Sequence, residues 1–299
     1  MEQNFDVIII GGSYAGLSAG MALGRSLRNV LIIDSGKPCN RQTPHSHNFI
    51  THDGKTPKEI SNLAKEQVLK YETVKFHDGI VVKTSKNEDS FEVETENGKI
   101  FHAKKIILAS GIKDIMPNIP GFAECWGISV IHCPYCHGYE VKGKVTGIMA
   151  NGDMAFDFSK LVFNLTKDLT LFTNGKSTLT QEQVEKFNQN KINLNEDEIS
   201  EIVHKNGQIE KVILKNGKEI SLEVLYAKIP FEQNIKVEDL GIELNEQGFI
   251  TVDMMQKTNI PGVFACGDNV TMMRSVANAV AQGNFTGAVV NKELSEEEF

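Results

Sequence analysis

The stretch "FDVIIIGGSYAGLSAGMALGRSLRNVLIID" (5–34) constrains the chain more than any other. Its first run is apolar and β-branched without alternation, the pattern of a strand buried on both faces of a parallel sheet. Glycines follow at once, and then Ala15, Leu17, Ala19, Met21, Ala22 and Leu23 make a small-residue helix that can approach a sheet closely. A second apolar run ends at Asp34, about 20 residues past the glycine turn, as a dinucleotide-binding pattern requires. In that pattern glycines make the tight turn, a helix N-terminus faces pyrophosphate, and a carboxylate accepts from ribose hydroxyls. Gly11 opens the turn and Asp34 is the acid of that pattern. Ser13 stands where the second glycine of G-x-G-x-x-G is expected.

The chain then repeats this plan. A polar amphipathic helix is expected over 55–72, and "SFEVETENGKIFHAKKIILASG" (90–111) reads as a hairpin on an Asn-Gly turn running into an apolar strand. "GKVTGIMANGDMAFDFSKLVFNLTKDLTLFTNG" (143–175) is again strand, turn, helix, strand, and "EKVILKNGKEISLEVLYAKIP" (210–230) again passes an Asn-Gly hairpin into an apolar strand. "VFACGD" (263–268) is one more buried strand ending at a ligand, and it belongs with the first half. The expected fold is therefore α/β: two three-layer, Rossmann-like nucleotide-binding units, the second inserted in the first, with crossovers at 111–122 and 228–234. A length of 299 residues agrees with two domains at roughly 150 residues each.

Lys+Arg 31 against Asp+Glu 39 gives a formal net charge of −8, with no basic block of the kind a nucleic-acid or anionic-membrane partner would need. The acidic run "ELSEEEF" (293–299) reads as a solvated end. No apolar run approaches the roughly 18 residues of a membrane span, and "MEQNFDVIIIGGS" reads as the start of a strand, not a signal peptide. Cytoplasm is the expected location, and five cysteines there argue against a structural disulfide framework. Against that background stands "CPYCH" (133–137). C-x-x-C-H serves c-type haem attachment, half a zinc site, or a redox dithiol. Haem attachment lacks an export signal, and a closed zinc site lacks a second ligand pair. "HSH" (45–47) could supply nitrogens, but a polar loop accounts for it equally well, so no metal is expected.

Taken with "IIIGGSYAG" (8–16), "ILASG" (107–111), "IPG" (119–121), C-x-x-C-x-G at 133–138 and "GVFACGD" (262–268), the chain resembles the low-molecular-weight thioredoxin reductase family of flavoproteins over its whole length. The resemblance implies an FAD-binding domain at 1–113 and 246–299 and an NAD(P)-binding-like domain at 114–245 that carries the dithiol. It implies that Gly11, Gly12, Ser13, Ala15, Gly16 and Asp34 hold the FAD pyrophosphate and adenosine ribose. Gly111, Gly267 and Asp268 would lie along the cofactor, with Arg274 and Ser275 opening a helix beside the flavin. Arg41, His47 and Asn48 fall in a segment that also touches FAD in the family. Cys133 would exchange with substrate sulfur, Cys136 would face the flavin, and His137 would stand in the place of the family's aspartate acid–base. A homodimer is expected on the same ground.

The pattern fails at the nicotinamide nucleotide. In "ANGDMA" (150–155) Ala150 replaces the first glycine, Thr173 and Asn174 replace an arginine pair, and Lys228–Pro230 replaces a later glycine; Lys176 is the nearest cation. NADPH is therefore doubtful. "CPYCHGYE" with a weakened nicotinamide site resembles the branch of dithiol oxidases acting on disulfide natural products such as gliotoxin and holomycin, with O2 as acceptor. The other readings are a disulfide reductase fed by NAD(P)H, ferredoxin or another flavin, and a non-catalytic flavin redox sensor. The substrate is a small dithiol or disulfide, or a thioredoxin-like protein.

Overall fold

The computed structural model describes residues 4–88 and 90–299. The chain divides into two compact units. One takes Met1–Arg41, Phe49–Asp114 and Phe231–Phe299, and the other takes Gln42–Asn48 and Ile115–Pro230.

The first unit opens with β1 (Asn4–Ile10), α1 (Tyr14–Arg25) and β2 (Val30–Asp34), the elements expected from the opening stretch. After α2 (Pro57–Val68) come β3 (Val74–Asp78), the hairpin strands β4 (Val81–Lys86) and β5 (Phe91–Thr95), the long β6 (Ile100–Leu108) and the short β7 (Ile112–Asp114). The helix α2 starts where Thr56 and Glu59 form a reciprocal capping box, with Pro57 at its first position. The strands join in a seven-stranded sheet of order β3-β2-β1-β6-β5-β4, and β6 divides its partners: its first half pairs antiparallel with β5 and its second half is parallel to a strand from the end of the chain. The uninterrupted apolar run of β1 follows from burial on both faces. Val7 and Ile9 pack with Leu17, Ala19 and Leu23 of α1, while Ile8 and Ile10 pack with Phe91, Ile106 and Val263.

The second unit follows the same plan. Its elements are α3 (Phe122–Cys125), β8 (Val130–Ile131), α4 (Pro134–His137), β9 (Thr146–Met149), α5 (Gly152–Phe163), β10 (Leu169–Phe172), α6 (Gln181–Gln189) and β11 (Asn193–Asn195). Then come β12 (Ile199–Lys205), β13 (Gln208–Leu214), β14 (Glu219–Ser221) and β15 (Val224–Ala227). A five-stranded parallel sheet of order β11-β10-β9-β15-β8 lies with a three-stranded antiparallel sheet β12-β13-β14. The chain re-enters the first unit at β16 (Phe231–Gln233), earlier than 246, because β16 pairs antiparallel with β7. The other departure is Gln42–Asn48, which the sequence pattern keeps in the first unit and which packs with the second.

The chain ends with β17 (Val263–Ala265) and the 23-residue α7 (Val276–Glu298). Gly283 of α7 lies so near α1 that a Cβ there would stand 2.1 Å from the Ala15 carbonyl oxygen, so the two helices meet backbone to backbone. The acidic end is not simply solvated, which corrects the sequence reading. Glu293 lies 2.8 Å from Lys105 and also binds Lys257, and Glu298 pairs with Arg28 and Lys104 at 2.6 and 2.8 Å. Among the described residues no helix is long and apolar enough to cross a membrane.

Candidate active site

The dithiol follows the edge strand β8 directly. Pro134, with its preset φ, starts the single turn α4, and Cys133 is its extended N-cap residue. Cys133 and Cys136 are joined in a disulfide. The Cys133 sulfur also accepts from the Cys136 backbone N–H at 3.1 Å, a bond that would strengthen toward a thiolate. Gly138 closes the turn, since a Cβ there would lie 2.3 Å from the Pro134 carbonyl oxygen and 2.4 Å from a Leu165 methyl. His137 is half-buried. Burial pushes its imidazole below the ordinary histidine range, Glu140 opposes that shift, and His47 adds to it. His47 Nδ1 lies 3.6 Å from Glu140 Oε1. Tyr135 and Tyr139, 66% and 72% exposed, flank the turn.

In the first unit the glycine turn after β1 is as tight as the sequence suggests. Gly11 has φ +106°, and a Cβ on it would stand 2.3 Å from the Ala109 carbonyl oxygen. A Cβ on Gly16 would stand 1.8 Å from the Gly11 carbonyl oxygen, so α1 starts directly against the turn. Ser13 is the N-cap of α1 with no side-chain capping bond, and Ala15 is buried. Asp34 Oδ1 accepts from the Gly12 N–H at 2.9 Å and Oδ2 from the Gly36 N–H at 3.1 Å. A carboxylate is thus fixed at the carboxyl end of β2, beside the turn that would receive a pyrophosphate.

At the carboxyl ends of β6 and β17 lie Gly111, Gly267 and Asp268. Gly267 donates its N–H to Gln282 Oε1 of α7 at 2.8 Å. Ser275 caps α7 by accepting from the Asn278 N–H at 3.1 Å. Arg274 is held bidentately by Asp114 at 2.9 and 3.1 Å and lies 3.6 Å from Asp268. Cys39 lies 3.8 Å from Asp268 Oδ2, and burial, reinforced by that carboxylate, pushes its thiol up to about 11. Burial also raises Asp268, with Arg274 pulling it back. Two buried polar atoms at these strand ends, Ser110 Oγ and Asn269 Oδ1, make no hydrogen bond.

The structure therefore gathers Gly11, Gly12, Ser13, Ala15, Gly16 and Asp34 around one turn, and Gly267, Asp268, Arg274 and Ser275 around another. Arg41 is exposed at the end of a first-unit segment, whereas His47 and Asn48 lie in the second unit. Asp114, Cys39, Gln282 and Glu140 carry no motif of their own. Asp114 finds Arg274 only once β7 is built, across a sequence separation of 160.

The second fingerprint is tied to itself. Asn151 caps α5, and its Oδ1 accepts from the Gly152 N–H at 2.8 Å, the Thr178 N–H at 2.9 Å and the Thr178 hydroxyl at 3.2 Å. Its Nδ2 donates to the Lys176 carbonyl at 2.9 Å. Thr173 Oγ1 donates to the Gly175 carbonyl at 2.6 Å, and Asn174 Oδ1 accepts from the Ile199 N–H at 2.8 Å. Among the described residues no group of three or more His, Cys, Asp or Glu could hold a metal ion.

The sequence pattern of the pyridine nucleotide-disulphide oxidoreductases matches residues 5–283. Thioredoxin reductase tcpT of Claviceps purpurea is 34% identical over 97% of this chain and 94% of its own. The solved oxidoreductase of Agrobacterium tumefaciens is 36% identical, superposes with a TM-score of 0.91 and is covered over 99% of both chains. The solved protein HlmI is 27% identical with a TM-score of 0.92, over 99% of this chain and 94% of its own.

Proposed function

The chain belongs to the pyridine nucleotide-disulphide oxidoreductase family, as a thioredoxin reductase-like enzyme, and we propose that it oxidises a small dithiol with O2 as acceptor, without drawing on NADPH. The observation that carries this reading is the contrast between the two nucleotide units: one keeps its glycine turn with an acid braced beside it, and the other lacks the first glycine and the arginine pair and has Asn151 bonded across the start of α5.

Family membership implies FAD, and the first unit fits it. The Gly11 turn leaves no room for a side chain on its inner face, Asp34 is braced at the strand end, and Ser110 Oγ and Asn269 Oδ1 are buried without partners. Gly11–Gly16 and Asp34 would hold the pyrophosphate and adenosine ribose; Gly111, Gly267, Asp268, Arg274 and Ser275 would hold the remainder. When bound, FAD would supply a two-electron acceptor for the reduced cysteines and a donor to O2, which would leave as hydrogen peroxide.

NADPH does not fit the second unit. The Gly152 N–H that would meet a pyrophosphate already donates to Asn151, and that same oxygen holds the Thr178 loop over the start of α5. Thr173 and Asn174 direct their side chains to backbone partners, and neither carries charge for a 2′-phosphate.

The dithiol chemistry follows from residues of the second unit. A substrate thiol loses its proton to neutral His137, and the thiolate attacks Cys133, breaking the Cys133–Cys136 bond and releasing Cys136 as a thiolate beside the new imidazolium. The second substrate thiol then displaces Cys133 from the mixed disulfide, its proton passing to the departing sulfur. The substrate leaves oxidised by two electrons and the cysteine pair is reduced by two. Exposed Tyr135 and Tyr139 give the turn an apolar aromatic rim suited to a small organic dithiol.

The test is to add dithiothreitol to the FAD-loaded protein under air. The flavin colour should fade and return while peroxide accumulates, and NADPH at micromolar concentration should leave the spectrum unchanged. Rapid bleaching by micromolar NADPH with transfer to a thioredoxin-like disulfide would overturn the proposal.

A further inference from the structure

The segment Gln42–Asn48 reaches the dithiol turn through His47. Its neighbours in sequence, Arg41 and Phe49, belong to the first unit, yet the segment itself packs with the second. Thr43 Oγ1 and Gln42 Cγ lie 3.1 and 3.3 Å from the position a Cβ would take on Gly127 of the second unit, so the strap is seated closely. It places His47, with only 19% of its side chain exposed, 3.6 Å from Glu140, and Glu140 follows His137 by three residues on the same turn.

We infer that His47 is a positioning residue for the dithiol chemistry, acting through Glu140 on the proton acceptor His137. The inference rests on the reading of His137 as that acceptor. The Glu140 carboxylate favours an imidazolium at 137, and His47, seated on the same carboxylate, opposes it. Burial lowers the affinity of His137 for a proton, Glu140 raises it and His47 lowers it. The other titratable groups nearby are Tyr226 on β15, whose buried hydroxyl is raised by burial and then by Glu140, and His45, whose ring centroid lies 6.3 Å from that of His47. Lys142 is turned to the Tyr139 ring at 3.7 Å. The functional consequence is that His47 and Glu140 together set how readily His137 takes the proton of the substrate dithiol.

The test is a histidine NMR titration of the FAD-loaded protein, paired with the rate at which a small dithiol opens the Cys133–Cys136 disulfide as pH is varied. Glu140→Gln should move the His137 titration and the rising limb of the rate profile to lower pH. His47→Gln should move both to higher pH, and Glu140→Asp should restore most of the wild-type behaviour. At a fixed pH on the rising limb the rates of the two variants should differ from wild type in opposite directions, by about three- to tenfold, the size of one charge acting at a part-exposed site. Glu140→Gln carries the test alone if His47→Gln fails to fold, because it leaves the strap in place. Absence of any shift, or shifts in the same direction, overturns the inference. Opposed shifts in a protein that makes no peroxide would remove the oxidase reading and leave this inference standing.

Discussion

Replacing Arg274 with methionine removes a cation from one of the most enclosed charged clusters in the first unit. The side chain of Asp114 is 6% exposed and that of Arg274 15% exposed. Two charge-assisted bonds at 2.9 and 3.1 Å join them, and Asp268 lies 3.6 Å from the guanidinium. Removing one partner of a buried ion pair costs about 3–5 kcal/mol, because the other charge is left without compensation. Here two carboxylates are left, so the upper half of that range is expected. At about 2–4 °C per kcal/mol for a unit of this size, the melting temperature should fall by roughly 8–20 °C. Asp114→Asn should cost less, since Arg274 keeps Asp268. The double variant Arg274→Met with Asp114→Asn should be less damaged than Arg274→Met alone, because one of the two stranded charges is gone. Thermal melts of the four proteins, each with excess FAD and after removal of the flavin, give the cycle and separate stability from cofactor binding. If the double variant loses as much as the two singles added together, or Arg274→Met stays within about 1 kcal/mol of the parent, the reasoning is refuted.

Other expectations follow from the same geometry. Asp34→Ala removes the acceptor of two backbone N–H groups and, in the proposed FAD site, of the ribose, and should weaken FAD by about 1–3 kcal/mol, or one to two decades, in a flavin-retention or calorimetric assay. Cys133→Ser should keep FAD but lose exchange with external thiols, whereas Cys136→Ser should lose flavin reduction by dithiols; wild-type rates in both would take the pair off the electron path. His137 has its folded-state affinity for protons lowered by burial, so in the window below the ordinary value of about 6.5 the unfolded chain binds more protons. Stability should therefore rise with pH through that window, and urea unfolding of His137→Gln should show a flatter dependence.

Much of the fold was legible because it is written in local periodicity. The unbroken β-branched run of β1, the Asn-Gly hairpins at 97–98 and 216–217 and the repeated strand-turn-helix order each depend on neighbours in sequence. The dithiol was legible for the same reason: Cys133, Pro134, Cys136, His137 and Gly138 make one turn. What escaped were partners joined only by tertiary structure. Asp114 lies 160 positions from Arg274, and Cys39 lies 229 from Asp268. No spacing rule connects either pair. His47 illustrates a subtler failure. Its neighbours in sequence belong to the first unit, and nothing in "HSHN" signals that seven residues cross to the second, because the signal is the fit of Gln42 and Thr43 against Gly127.

The second nucleotide fingerprint shows how a local substitution becomes a tertiary commitment. From the sequence, Ala150 in place of glycine reads as a small obstruction, and the absence of arginines at 173 and 174 as lost affinity. Neither alone forbids a dinucleotide, since a methyl group can be accommodated and the 2′-phosphate contacts matter less for NADH. The structure adds Asn151, whose side chain takes the first N–H of α5 and both donors of Thr178, while its amide reaches the Lys176 carbonyl. A dinucleotide would have to break several of these bonds together, at about 0.5–1.5 kcal/mol each, before gaining any contact of its own. NADH should then bind as poorly as NADPH, because the obstacle lies at the pyrophosphate they share and not at the 2′-phosphate that distinguishes them. Calorimetry with both nucleotides decides the point. Equal weakness supports the lock, and NADH binding decades tighter than NADPH would return the whole effect to the missing arginines.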